Sequence, residues 1–192
     1  MIYFTSDLHL GHANIIKLSN RPFETLEEMD EVLVQNWNKK VKKNDTIYIL
    51  GDLIHKSSNP VQYLQKLNGV KHLILGNHDH TWLCKVSNPS DYFASITPML
   101  ITSQCNHLMT MCHYPMLEWN GSRRESSPTR LGYLLYGHIH NKTTEQNKDY
   151  EVLFRKNNAL NVGVDINNYQ PVTFEELVAN NQNFRRKIGF EC

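Results

Sequence analysis

The first half of the chain alternates between short apolar runs and helix-like patterns. Runs rich in apolar and β-branched residues predict strands at residues 2–6, 46–50 and 70–75. A 3.6-residue apolar rhythm predicts a helix over residues 25–41, and an Asn-Pro start with a Gly stop predicts another over residues 59–69. This β-α-β-α-β order favours parallel strands with helices packed outside the sheet.

The second half has a different pattern. Four apolar runs predict strands joined by loops and turns, at residues 95–103, 107–114, 131–137 and 158–164. A last helix is expected to begin at Thr173, because Glu176 follows it at capping-box spacing. We therefore expect an α/β fold, a two-sheet β-sandwich flanked by helices, formed as a single domain by residues 1–192.

Composition narrows the classes of protein to which this chain can belong. At 192 residues, 40% hydrophobic and 20% charged, it has the size and composition of an ordinary globular domain. A net charge of +1 argues against binding to nucleic acid or membranes through overall charge. Its four cysteines form no C-x-x-C pair, its first residues do not have the pattern expected of a signal peptide, and no apolar run approaches the roughly 18 residues of a membrane span. These features predict a cytoplasmic protein that does not enter the membrane.

Polar side chains of metal-ligand type follow five of the predicted strands. In chain order they are Asp7 and His9, then Asp52, then Asn77 with His78 and Asp79, then His113, and finally His138 with His140. Each cluster alone has an ordinary explanation as turn residues or buried histidines. Five such clusters at strand ends, where α/β proteins build their sites, instead indicate a metal centre. If the strand continues through residues 136–141, His138 and His140 point to the same face.

The donor types limit which metals fit. Imidazole and carboxylate ligands without thiolate suit Mn, Fe, Zn, Co or Ni. Without His78 and Asp79, the clusters supply seven ligands, which exceed the four of a closed zinc site but suit two ions that share a bridging carboxylate. Pairs of ions about 3.5–4 Å apart are used in enzymes for phosphoryl chemistry.

The order of these motifs, D-x-H, G-D, G-N-H-D, H-x-P and G-H-x-H, resembles the calcineurin-like metallophosphoesterases across residues 7–140. The resemblance implies the four-layer αββα fold of that family. It also implies two divalent ions, with Mn favoured and Fe, Zn, Ni or Co as alternatives. The implied ligands are Asp7, His9 and His140 for the first ion, Asn77, His113 and His138 for the second, and Asp52 as the bridge between them.

The same resemblance implies a reaction. A metal-bound hydroxide would attack phosphorus, while His78 would hydrogen-bond the phosphate and protonate the leaving oxygen. Asp79 would orient the His78 ring. The chain departs from protein Ser/Thr phosphatases, whose G-D-x-V-D-R-G and G-N-H-E motifs are here GDLIHKS and GNHD. It also departs from purple acid phosphatases, which have a tyrosine at the place of His55.

Three further residues are candidates for substrate binding. His55 completes a GDLIH sequence that resembles the G-D-x-x-H motif of SbcD-type nucleases, in which the histidine helps to place a nucleic-acid phosphodiester. Arg21 could reach a substrate phosphate or pair with a carboxylate, and His12 could line the rim of the site or cap the short helix that follows. The segments SNRPF and NVGVDINNYQPVTFEEL are similar to small bacterial and phage phosphoesterases.

These observations predict a dinuclear, metal-dependent phosphoesterase that hydrolyses phosphodiesters. Its partner is then a phosphate-ester substrate, with nucleotides and nucleic acid among the candidates. Three alternatives stay open: a phosphomonoesterase acting on a nucleotide or small metabolite, a metal-bearing binding module without catalysis, and a nucleic-acid-binding protein without chemistry. The polar loop at residues 120–130 is a candidate lid, and the sequence predicts no particular oligomeric state.

Overall fold

The strands form two four-stranded sheets in a computed structural model that describes residues 1–123 and 131–190. The first sheet contains, in spatial order and all parallel, β1 (Ile2–Thr5), β2 (Thr46–Leu50), β3 (Val70–Ile74) and β4 (Phe93–Thr97). The second contains, parallel except for its first pair, β5 (Met99–Gln104), β6 (His107–Cys112), β7 (Gly132–Tyr136) and β8 (Ala159–Asn161). The predicted α/β fold with two sheets is confirmed.

Helices flank the sheets. Those in the described residues are α1 (Asn14–Leu18), α2 (Leu26–Lys40), α3 (Val61–Leu64), α4 (Asp79–Leu83), α5 (Glu151–Phe154) and α6 (Phe174–Lys187). The two long helices begin where their caps predict. The Thr25 side chain accepts a hydrogen bond from the backbone N–H of Glu28, and Thr173 forms a reciprocal capping box with Glu176.

Side-chain alternation along β2 divides the core into layers. Ile47 and Ile49 point to one face and join the cluster that contains Trp37 of α2. Tyr48 and Leu50 point to the other face and pack among buried residues of the second sheet. A parallel strand covered on both faces is the usual arrangement in α/β proteins. The strands therefore have fixed positions, and the loops at their carboxyl ends meet along one edge of the fold.

The strand predicted at residues 95–103 is in fact two strands in different sheets. The chain leaves β4 at Thr97 and enters β5 at Met99. Pro98 lies between them and has no N–H to donate to a ladder of backbone hydrogen bonds. The apolar pattern runs across this proline without a break, so the pattern alone did not show the change of sheet.

The helix predicted at residues 59–69 is also shorter than expected, because only Val61–Leu64 is helical. Contacts with α2 hold the next residues in another conformation. The backbone carbonyl of Asn68 accepts a hydrogen bond from the Trp37 side chain at 2.9 Å. The backbone N–H of Asn68 donates to the Asn38 side chain at 3.0 Å. The short helices α4 and α5 were not predicted from the sequence.

Two other predictions, on membrane spans and on the loop at residues 120–130, can be compared only with the residues that the structure describes. No helix in the described part of the chain is long and apolar enough to cross a membrane. The candidate lid at residues 120–130 lies mostly outside the described residues, which leave out residues 124–130. The single domain over residues 1–192 stays a prediction.

Candidate metal centre

Five of the predicted ligands lie in loops with left-handed backbone conformation. The φ angles are 57° at Asp7, 53° at His9, 53° at Asp52, 71° at His138 and 54° at His140. Such angles are uncommon for residues other than glycine, and they cluster at functional sites, where the surrounding structure compensates their cost. The backbone at this edge is therefore shaped to aim side chains rather than to continue the strands.

The expectation that His138 and His140 share one face of an extended strand is wrong. Strand β7 ends at Tyr136, and both histidines have left-handed backbone. Their rings consequently diverge. The His138 ring lies 5.1 Å from the His113 ring, whereas the His140 ring lies 5.1 Å from the His9 ring, measured between centroids.

A close approach at Gly137 joins the two sheets at Asp7. The backbone N–H of His138 donates to both carboxylate oxygens of Asp7, at 3.1 and 3.0 Å. A Cβ atom on Gly137 would lie 2.5 Å from one of these oxygens and 2.4 Å from the Ser6 hydroxyl. Only glycine leaves room for this contact, so the G-H-x-H loop fixes the position of the Asp7 carboxylate.

The first candidate group for a metal consists of Asp7, His9 and His140. Each can offer one ligand atom, and these atoms lie within 4.8 Å of one another. His9 is only 2% exposed, yet neither of its ring nitrogens has a hydrogen-bond partner. The pKa of His9 lies far below its usual value, mainly because the ring is buried and secondly because His140 is close. His9 is thus a neutral imidazole, the form that binds metal, and a bound ion would satisfy its buried nitrogen.

The second candidate group consists of Asp7, Asp52 and His113, also with ligand atoms within 4.8 Å of one another. The Nδ1 atom of His113 lies 2.8 Å from the carbonyl of Leu50, which leaves Nε2 as the ligand atom. One oxygen of Asp52 lies 3.5 Å from this Nε2 and 3.6 Å from Nε2 of His9. Asp52, a member of the second group, is therefore also close to His9 of the first group, as expected for the bridging ligand that the family resemblance implies, although Asp7 is the residue that both groups share.

Asn77 and His138 lie beside the second group without belonging to it. The side-chain oxygen of Asn77 is 3.1 Å from Nε2 of His113. The His138 ring packs edge-on against the His113 ring. Burial is the main cause that lowers the pKa of His138, and the neighbouring His113 is the second, so the neutral form is favoured. Both side chains are thus within reach of an ion held by His113, and their role as ligands stays a prediction.

Arg21 does not occupy the substrate-binding position proposed for it. Its guanidinium is buried and pairs with Asp165 through two hydrogen bonds, of 2.8 and 3.1 Å. It also donates to the backbone carbonyl of Asp7 at 2.6 Å. The second interpretation considered from the sequence, a loop arginine paired with a carboxylate, is the one the structure supports.

Asp165 contacts the first candidate group but was not predicted from the sequence. Its second oxygen lies 2.8 Å from Nδ1 of His140, so Nε2 of His140 is left to face the metal group. Burial alone would raise the pKa of Asp165, but the His140 hydrogen bond and the Arg21 charge outweigh burial and lower it. Asp165 lies in the segment quoted for its similarity to small phosphoesterases, but more than 20 residues from His140 along the chain. No local pattern links the two residues.

Asp79 has a different role from the one expected. Its buried carboxylate accepts hydrogen bonds from the backbone N–H groups of Asp52, Leu53 and Gly76 and from the Trp82 side chain. These four contacts use both of its oxygens, so Asp79 does not orient the His78 ring. It holds the loop after β2, and thereby Asp52, against the loop after β3.

His78, His55 and His12 form a row of imidazoles at the mouth of the site. The centroids of the His78 and His55 rings are 4.2 Å apart, and those of His55 and His12 are also 4.2 Å apart. The His78 side chain is 36% exposed, whereas His55 is 7% exposed. The Nδ1 atoms of His55 and His12 are buried without a hydrogen-bond partner. Helix α1 has no side-chain cap, so His12 is not the cap considered from the sequence.

The rings of this row can form hydrogen bonds with a ligand. Burial is the main cause that lowers the pKa of His12 to about 4, and the neighbouring His55 is the second. The pKa of His55 is also lowered, mainly by burial and next by His78. Both rings are therefore neutral near pH 7 and present N–H groups without a positive charge. Together with the metal groups, the row gives the site two neighbouring sets of donors of different kinds.

The comparison that decides the family is with the model for calcineurin-like phosphoesterases, which matches residues 1–103. The chain belongs to this family. The matched residues contain the D-x-H, G-D and G-N-H-D motifs. The family assignment from the sequence is confirmed, and the two sheets with flanking helices agree with the family fold.

Three proteins similar to this chain have names that state no activity. An uncharacterized protein of Methanocaldococcus jannaschii, MJ1445, is 34% identical over 182 residues, which cover 92% of this chain and 89% of that protein. The Gene 66 protein of Mycobacterium phage L5 is 40% identical over 40% of this chain and 39% of its own length. The crystal structure of the protein of unknown function AQ665 from Aquifex aeolicus is similar with a TM-score of 0.67 and 28% identity, over 92% of this chain and 96% of that one.

Family membership and the two Asp/His groups together support a metal-dependent phosphoesterase. The residues fit a divalent ion by their chemistry as well as by their positions. Their donors are carboxylate oxygens and imidazole nitrogens, and the unpartnered nitrogens of the neutral His9 ring lie among them. The enzyme class predicted from the sequence is supported at this coarser level.

Proposed function

We propose that this phosphoesterase holds two divalent ions and hydrolyses phosphodiesters. The observation that carries the proposal is the position of Asp52, whose Oδ2 lies within 3.6 Å of ligand nitrogens from both groups. A carboxylate oxygen between two sets of ligands is the arrangement of a bridging ligand. Mn is the favoured metal, because mixed carboxylate and imidazole donors without thiolate suit it, and the same donors also suit Fe, Zn, Ni or Co.

The residues that hold the ions follow from the two groups. Asp7, His9 and His140 would hold one ion, His113 with the neighbouring Asn77 and His138 would hold the other, and Asp52 would be a ligand to both. When bound, divalent ions supply Lewis-acid polarisation of the phosphoryl group and neutralise charge on its oxygens. The protein itself orients His140 through Asp165 and positions Asp52 through Asp79.

His78 is the proposed general acid. Its backbone N–H donates to Asp52 at 2.9 Å, which fixes the residue beside the metal groups. Its side chain is 36% exposed, and its Nε2 lies 3.9 Å from Asp52. A proton on Nε2 can therefore pass to the leaving-group oxygen of an ester bound at the metal groups.

The preference for diesters rests on His55 and His12. The GDLIH sequence that ends at His55 resembles the G-D-x-x-H motif of SbcD-type nucleases, which act on phosphodiesters, and the rings of His55 and His12 are neutral. Neutral N–H donors beside His78 suit a singly charged phosphodiester better than a dianion. His55 and His12 therefore contact the non-bridging oxygens or the substituent of a diester substrate.

The testing experiment compares two chromogenic esters. Metal-stripped protein is assayed with bis-p-nitrophenyl phosphate and with p-nitrophenyl phosphate, after addition of Mn, Zn, Ni or Mg in turn. The Asp52→Asn variant removes a charge from both metal groups, and Asp91→Asn is the matched control, because Asp91 is exposed and lies away from the site. We expect Mn-dependent turnover of the diester that is lost only in Asp52→Asn.

Other outcomes lead to the alternatives. Turnover of the monoester alone would favour a phosphomonoesterase acting on a nucleotide or small metabolite. Metal binding without hydrolysis of either ester would favour a binding module without catalysis. Because His78 is not a proposed metal ligand, His78→Ala should retain metal while losing turnover by orders of magnitude if the protein is an enzyme.

A further inference from the structure

An apolar surface adjoins the candidate metal centre on the side of the second ion. It begins at Tyr114, which directly follows His113 in the chain. The Tyr114 ring packs edge-on against His113 and His138, with centroids 5.1 and 4.8 Å away, and remains 45% exposed. An exposed tyrosine ring held in place by two proposed metal ligands is a rigid platform beside the reacting centre.

A groove continues from this platform. Pro115, Met116 and Leu117 line one side, and Tyr150 with Val152 line the other, around a volume of about 380 Å³. Leu117 is 65% exposed and Val152 is 46% exposed. Small-molecule sites are typically concave, mostly apolar and of about 300–1,000 Å³. The size and lining of this groove therefore match a site for part of a small molecule.

Charge distinguishes this groove from a second phosphate site. Among the residues that the structure describes, neither lysine nor arginine lines it, and its charged member is Asp149. A carboxylate repels phosphate but accepts hydrogen bonds from ring or exocyclic N–H groups. The imidazole row and the metal groups, by contrast, face the phosphoryl group. The occupant that fits is an uncharged planar ring with N–H donors, attached to the phosphate through its ester substituent.

We propose that Tyr114 and the adjoining groove bind the nucleobase of a nucleotide ester whose phosphate lies at the metal groups. Tyr114 stacks on the base, Leu117 and Val152 cover its apolar edge, and Asp149 accepts a hydrogen bond from an amino group of adenine, guanine or cytosine. This proposal rests on the proposed phosphodiesterase function and names its substrate class. Stacking of a base on an aromatic side chain tolerates different bases, so Asp149 supplies the preference for bases that carry an amino group.

The test compares two diesters with the same leaving group. Methyl p-nitrophenyl phosphate has no base, and the p-nitrophenyl ester of adenosine 5′-phosphate has one. Tyr114→Ala and Leu117→Ser should raise KM for the adenosine ester roughly tenfold, the size expected for loss of one stacking contact, and change KM for the methyl ester less than twofold. Tyr114→Phe keeps the ring and should behave as the unmodified enzyme. Ile101→Ser is the control, since Ile101 is 49% exposed on strand β5, away from the groove.

Binding is measured separately from catalysis. In calorimetric titration of the metal-loaded protein with adenosine 5′-phosphate, both groove variants should weaken binding by a similar factor. An equal loss for both esters in Tyr114→Ala would show that Tyr114 only supports His113 and His138, and would overturn the proposal. Equal affinity of the enzyme and both groove variants for adenosine 5′-phosphate would overturn it as well. If neither ester is hydrolysed but binding still depends on Tyr114, the proposed function fails while the base site stands.

Discussion

Replacement of Asp165 by asparagine should weaken the metal centre from a position that touches no metal. Asp165 joins the Arg21 guanidinium to Nδ1 of His140, and the side chains of Arg21 and Asp165 are both fully buried. Asparagine has the same shape but only one oxygen. If the amide nitrogen faces His140, Nδ1 must accept and the ring proton moves to Nε2, the atom needed by the metal. If the amide nitrogen faces Arg21, its N–H groups and those of the guanidinium are both donors, and the hydrogen bond is lost.

The magnitude follows from these contacts. Loss of the partner that orients a metal-binding histidine typically costs 10–100-fold in metal affinity, or about 1.4–2.7 kcal/mol. Breaking a buried ion pair on one side costs about 3–5 kcal/mol in stability, and Asp165→Asn should lie near the lower end because one oxygen still accepts from Arg21. A loss of about 3 kcal/mol lowers the melting temperature of a protein of this size by roughly 6–12 °C.

The assay separates these two effects. Calorimetric titration of the metal-free protein with Mn²⁺ gives affinity, and thermal unfolding without metal gives stability. Glu151→Gln is the control, because it breaks the exposed Glu151–Arg155 pair and should change stability by less than about 0.5 kcal/mol and metal affinity not at all. If Asp165→Asn lowers the melting temperature but binds both ions as tightly as the unmodified protein, Asp165 supports only the fold and the reasoning is refuted.

Three further changes test other parts of the structure. Asp79→Asn removes a charge that accepts four N–H donors around Asp52, so unfolding by denaturant should show a loss of about 1–3 kcal/mol, with weaker Mn²⁺ binding in titration. Gly137→Ala places a methyl group against the Asp7 carboxylate, and metal content measured by mass spectrometry should fall. Thr173→Ala removes the cap of α6 and should cost about 1 kcal/mol in thermal unfolding without changing metal binding.

Each of these three predictions has a result that would contradict it. Unchanged Mn²⁺ affinity in Asp79→Asn would mean that Asp52 does not depend on this carboxylate for its position. Gly189→Ala is the control for Gly137→Ala, because it has space for a methyl group but also an unfavourable φ of 86°, so it should lose stability and keep metal. Equal metal loss in both variants would point to unfolding rather than to Asp7. For Thr173→Ala, a stability within error of the unmodified protein would show that the capping box contributes nothing.

Local patterns were sufficient for most of the first sheet. The strand at residues 46–50 was predicted with its observed limits, because a parallel strand buried on both faces reads as a continuous apolar run. Capping residues likewise placed the starts of α2 and α6. The failures came where distant contacts decide the structure, as at residues 66–68, where side chains of α2 hold the backbone outside a helix.

Ligand type and strand position predicted which site residues would meet, but not how they are supported. Asp7, Asp52 and His113 were expected together and lie together, because the ends of adjacent strands converge. The pairing of Arg21 with Asp165 joins residues 144 positions apart, and no sequence period records such a contact. The left-handed backbone at His138 was also not predicted from the sequence, because an apolar run does not show where its strand ends.

The central claim, two ions on either side of Asp52, is tested most directly by anomalous diffraction from crystals grown with Mn²⁺. Data collected at the manganese absorption edge locate each ion without reference to activity. We expect two peaks about 3.5–4 Å apart, one beside Asp7, His9 and His140 and the other beside His113, with Asp52 in contact with both. A single peak, or ions bound away from Asp52, would contradict it.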